Sequence, residues 1–79
     1  MIQVTDVKPH DNHILRVTLS DGRTGDFDVS PYLDKGIFIE LKDLEYFRMV
    51  SVFLGAVCWS HGQDFGPDTI DVRMKELVA

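Results

Sequence analysis

Between His13 and Val29 the chain alternates apolar and polar residues on both sides of an Asp21-Gly22 pair. Leu15, Val17 and Leu19 share one face; Ile14, Arg16, Thr18 and Ser20 share the other. Beyond the pair, Gly25, Phe27 and Val29 point inward, and Thr24, Asp26 and Asp28 point outward. Period two is the mark of strands with one buried face. Parity then chooses the turn. A two-residue loop at Asp21-Gly22 sets Leu19 against Thr24 and Val17 against Asp26, which puts a carboxylate on the apolar face. A three-residue loop, Ser20-Asp21-Gly22, sets Leu19 against Arg23, Val17 against Gly25 and Leu15 against Phe27. This register keeps one face apolar and gives Gly22 the left-handed position, so it is preferred.

The flanking segments read less sharply. Ile2 to Pro9 is rich in β-formers, but its alternation slips between Val4 and Val7, which suggests a bulge or a short strand. Pro9, Asp11 and Asn12 mark a turn. Ser30-Pro31 starts a short helical turn over Pro31 to Lys35, with Ser30 as the cap and Gly36 as the stop. Ile37 to Leu41 is expected as a short strand. Asp43 caps a second short helix with Leu44, Phe47 and Arg48 at helical spacing. Val50 to Trp59 is uncharged and apolar, and reads as one strand covered on both faces. After a loop, Pro67 opens a C-terminal helix with Ile70, Met74 and Leu77 on one stripe. The expected class is α+β: one domain over 1–79, with four or five mostly antiparallel strands and short helices on one side.

Composition narrows the function classes. The chain has 79 residues, with 8 Lys and Arg against 13 Asp and Glu, a net charge of −5. The basic residues are scattered, so direct nucleic-acid binding is not expected. One cysteine allows no internal disulfide, and the opening residues lack a basic-then-apolar leader. No apolar run approaches the roughly 20 residues of a membrane helix. A cytoplasmic protein without a membrane partner is therefore expected.

No motif dictates a chemistry. Cys58-x-x-His61 with His10-x-x-His13 offers four soft-metal ligand types, but residues three apart on a strand point to opposite faces. Cys58 as a nucleophile needs a base, and an apolar setting raises a thiol pKa. Asp64, Asp68 and Asp71 surround a helix start, where acids offset the helix dipole. No metal, cofactor or catalytic residue is assigned. Trp59-Ser60-His61-Gly62 is either a recognition loop or, for the indole, a core-closing residue.

The order of segments resembles a family of small bacterial proteins, domain of unknown function 2442. The resemblance rests on Val4-x-x-Val7-Lys8-Pro9, the Leu15-x-Val17-x-Leu19-Ser20-Asp21-Gly22 hairpin, Asp28-Val29-Ser30-Pro31-Tyr32-Leu33 and the 41–47 helix. Its most specific part is a Trp-Pro-x-Gly-x-Asp-x-x-Pro-Asp pattern followed by an aliphatic residue. Here Trp59, Gly62, Asp64, Pro67, Asp68 and Ile70 match, and Ser60 replaces the proline. The resemblance carries no enzyme activity. It implies a partner-binding module, and the arrangement of some members beside a second small gene implies the antitoxin-like or regulatory half of a two-gene pair.

The reading is therefore a small acidic, non-catalytic protein-interaction module. The ten largely apolar residues from Val50 to Trp59 exceed what one thin layer covers, and surplus apolar surface marks an interface. Candidate interface residues are Val50, Val52, Phe53, Leu54, Ile70, Met74 and Leu77, and a homodimer is compatible with them. The alternative is a small-molecule or metal-binding protein that uses the loop residues Trp59, His61, Gly62, Asp64, Pro67 and Asp68.

Overall fold

The hairpin register is the one that keeps carboxylates off the core. In the computed structural model, which describes residues 1–77, Leu15 pairs with Phe27 and Val17 with Gly25. The Leu19 amide donates to the Arg23 carbonyl at 2.8 Å and the Gly22 amide to the Leu19 carbonyl at 2.9 Å. Gly22 sits at φ +94°, where a side chain is strained. These strands are β2 (Ile14–Leu19) and β3 (Thr24–Asp28), and they follow β1 (Val4–His10). The slip in β1 is a bulge: Val4 pairs with Leu19 and Asp6 with Thr18, leaving Thr5 unopposed. One extra residue brings Val4 and Val7 to the same side.

The Val50 to Trp59 expectation is corrected. The segment is a hairpin, β4 (Ser51–Phe53) and β5 (Ala56–Cys58), reversed at Leu54-Gly55. Leu54 has φ +50° and Gly55 φ +77°, the left-handed pair that matches strand twist in a two-residue turn. Leucine in place of the usual Asn or Gly at the first position hid the turn. Ile37 to Leu41 is also not a strand. Gly36–Lys42 winds as tight three-residue turns that bury Leu41 and pack Phe38 against the core, while Ile37 and Ile39 stay exposed. The useful spacing there is three, not two. Before it, Ser30–Tyr32 forms a similar turn, held by Asp28 Oδ1 accepting from the Ser30 amide rather than by a Ser30 cap.

The remaining elements are α1 (Leu44–Phe47), β6 (Asp64–Phe65), α2 (Pro67–Arg73) and β7 (Lys75–Glu76). Asp43 caps α1 as expected, accepting from the Glu45 amide at 3.0 Å. The strands form two antiparallel sheets, β1-β2-β3-β7 and β4-β5-β6, so the class is α+β. The sheets share one core of Leu15, Val17, Leu19, Phe27, Phe47, Val57, Trp59, Phe65 and Ile70, among others. Each such large side chain contributes about 1.5–3 kcal/mol on burial. The Val4 amide donates to the Gly55 carbonyl at 2.9 Å, fastening the second sheet to the first. Among the described residues, no helix is long and apolar enough to cross a membrane.

Candidate functional site

Two regions hold the residues singled out from the sequence. The first is the loop after β5. Trp59 closes the core: it is 3% exposed, and its Nε1–H donates to the Phe47 carbonyl at 2.9 Å. It is not available as a recognition anchor. The loop turns tightly, with the Gly62 amide donating to the Trp59 carbonyl and the Trp59 amide to the Gln63 carbonyl.

The loop is organised by a side chain without a sequence signal. Gln63 is fully buried, and it is the buried polar residue of the core. Its Oε1 accepts from the Tyr46 hydroxyl at 2.6 Å. Its Nε2 donates to the Ile37 carbonyl at 2.9 Å and to Glu40 Oε1 at 3.0 Å. His61 stacks on the Tyr46 ring at 4.8 Å, its amide donates to the Tyr46 hydroxyl, and its Nδ1 donates to Glu40 Oε2 at 2.7 Å. A carboxylate can only accept, which fixes that direction. The His61 hydrogen bond holds the Glu40 carboxyl below its ordinary range, aided by Gln63 and opposed by partial desolvation. Tyr46, Gln63 and Glu40 thus join His61 in one satisfied network. Its demonstrable work is to bind the loop to the 36–42 turns.

The other loop candidates do not converge with His61. Gly62 adopts φ +100° to make the turn. Pro67 opens α2, and Asp68 lies exposed in its first turn. The supposed metal ligands are also separately engaged. His13 Nε2 donates to the Leu41 carbonyl at 2.9 Å, and the Cys58 thiol lies 3.6 Å from the Ser51 hydroxyl. Among the described residues, no three His, Cys, Asp or Glu side chains gather as a metal site.

The second region is the β4-β5-β6 sheet. Its inner face is Val52, Val57 and Phe65, packed on the core. Its outer face follows from the same register: Ser51 beside Cys58 beside Asp64, and Phe53 beside Ala56. Phe53 is 65% exposed, and Leu54 at the turn is 83% exposed. Of the candidate interface residues, Val50 and Val52 are half-buried against the core. Ile70 and Met74 are core residues at 0% and 9% exposure, and the helix ends at Arg73 with a strand at Lys75–Glu76, so the expected helical stripe of Ile70, Met74 and Leu77 does not form. Leu77 lies past β7, its amide donating to the Thr24 carbonyl, and is 42% exposed. The surplus of the apolar segment is therefore confined to Phe53 and Leu54.

Away from both regions, Phe27, Asp28, Pro31, Tyr32 and Arg73 line a shallow groove of about 260 Å³.

A search of the curated proteins and a search of the solved structures returned no match. A family model described as "Protein of unknown function (DUF2442)" matches residues 4–73, nearly the whole chain. The bulged β1, the Gly22 hairpin and the Trp59–Asp68 loop all fall inside that span, and the chain belongs to the DUF2442 family.

Proposed function

We propose that this protein is a small acidic, non-catalytic interaction module that docks a partner protein through the tip and outer face of the β4–β5 hairpin. One observation carries the reading. Leu54 holds a left-handed backbone, a conformation that costs a non-glycine residue roughly 1–2 kcal/mol, and its side chain is 83% exposed. Neither backbone preference nor burial explains a leucine there. An Asn would serve the turn better and leave no apolar surface. Phe53 beside it repeats the pattern at 65% exposure. Large apolar side chains clustered at an exposed turn are typical anchors of an interface. A role as the antitoxin-like half of a two-gene pair fits this module, with the neighbouring product as the partner.

The test is site-specific photocrosslinking in the native host, with a photoreactive phenylalanine at Leu54 and, as a control, at Asp21. The expected result is one discrete adduct with a second chain from position 54 and none from position 21. Equal labelling from both positions, or none from position 54, overturns the reading.

A further inference from the structure

The outer face of the second sheet is asymmetric in chemistry. At the turn end stand Phe53 and Leu54, with Ala56 paired to Phe53. At the other end Asp64 pairs with Cys58, which pairs with Ser51. Asp64 is exposed and makes no ion pair among the described residues. Among the described residues, the strand register places no Lys or Arg on this face: its residues are Ser51, Phe53, Ala56, Cys58 and Asp64. The face thus runs from apolar to anionic, on a chain whose net charge is −5.

Size and charge together select the occupant. β4 and β5 are three residues long, so the face measures roughly 10 Å along its strands. That is about the 10–12 Å diameter of one α-helix with its side chains. Two residues along β4 and two strands across separate Phe53 from Asp64 by roughly 12 Å. At 1.5 Å per residue, positions about seven or eight apart on one helical face span that distance. Charge sets the sign: a second copy brings another acidic chain and another Asp64 to the contact, whereas a basic partner is steered toward it.

We infer that the outer face of β4-β5-β6 seats a cationic amphipathic helix of a partner protein, with apolar side chains on Phe53 and Leu54 and a Lys or Arg at Asp64. This rests on the docking reading above and names the chemistry of what docks. The helix lies across the sheet and leaves the core untouched.

The experiment is a nitrogen-15 NMR titration of the whole chain with a synthetic helical peptide of about 18 residues, long enough to be helical when bound. The peptide carries leucines on one face and flanking lysines; a second peptide replaces every lysine by glutamate. The lysine peptide is expected to shift the amides of Ser51, Phe53, Leu54, Ala56, Cys58 and Asp64, and the glutamate peptide to shift none. Phe53→Ser, at an exposed position that spares the fold, should weaken binding about tenfold. Asp64→Asn should weaken it roughly threefold, and Asp11→Asn, in the exposed β1–β2 turn, should leave it unchanged. Equal weakening by Asp11→Asn and Asp64→Asn shows attraction to bulk charge and overturns the inference. Shifts elsewhere, or indifference to Phe53→Ser, overturn it too. A dimer by light scattering that Phe53→Ser dissolves assigns the face to a second copy, with the same consequence. The broader docking reading survives each of these unless the Leu54 crosslink is also absent, so the two fail separately.

Discussion

Gly25 and Met74 meet where β3 passes under the end of α2: a Cβ on Gly25 would stand 2.8 Å from Met74 Sδ and 2.9 Å from the Lys75 carbonyl oxygen. Gly25 lies opposite Val17 and pairs with Glu76 in β7, so the missing side chain is what lets the C-terminal segment reach the sheet. Gly25→Ala should destabilise by about 1–3 kcal/mol, as overpacking does. Truncating Met74 to Ala in the same chain should recover part of that, because the two changes share one contact. Urea midpoints of the two single variants and the double variant measure the coupling. Strict additivity would show that Met74 is not what Gly25 makes room for.

Gln63 is the second point of sensitivity. Gln63→Leu leaves the Ile37 carbonyl without the amide it accepts from, and the Tyr46 hydroxyl and Glu40 Oε1 without this partner. The cost should be about 2–3 kcal/mol. Tyr46→Phe, which removes one hydroxyl, should cost about 1 kcal/mol and loosen the loop. Amide exchange at His61 and Gly62 should speed up in both. A neutral Gln63→Leu would mean that the buried network adds nothing to stability.

Leu54→Asn separates folding from docking. It removes the least favourable left-handed residue and an exposed apolar side chain, so the isolated protein should gain about 0.5–1 kcal/mol. The same change should abolish the partner adduct, read by a photoreactive residue at Phe53. A gain in thermal stability together with loss of the adduct is the expected pair of results.

Acid stability should depend in part on Glu40. Its carboxyl is depressed in the fold, chiefly by the His61 hydrogen bond, so the folded state binds that proton less readily than the unfolded chain does. The contribution is full above the ordinary value of 4.5 and is lost as pH falls through the lower folded value. Asp21, Asp26 and Asp34 are depressed in the same direction by Arg23, Arg16 and Lys42, so the acid-side loss is shared. Glu40→Gln should narrow its stability gap from the natural protein as pH drops below 4.5. Denaturant titrations from pH 7 to 3 would show this; a gap independent of pH would place Glu40 outside the linkage.

Local patterns were readable wherever one face of an element is buried and the other wet. The β2–β3 register, the β1 bulge, the Asp43 cap and the start of α2 at Pro67 were all legible in that way. The Leu54-Gly55 turn was not, because a run without charge gives alternation nothing to mark. The site was legible only in outline. Phe53 and Leu54 were among the interface candidates, but so were Ile70 and Met74, which the core absorbs. Apolar character alone does not tell a core residue from an anchor. Tyr46, Glu40 and Gln63 carried no signal, since each is an ordinary polar residue until a distant segment folds against it.

What the sequence determined alone was the identity of most elements and the α+β class, because periodicity and capping act within a few residues of one another. The tertiary structure decided which apolar residues are spent on the core and which are left in water. That choice depends on contacts between segments far apart in the chain, such as Trp59 with Phe47 and Gln63 with Ile37. It left two large side chains at one turn, and the function proposed for this protein stands on them.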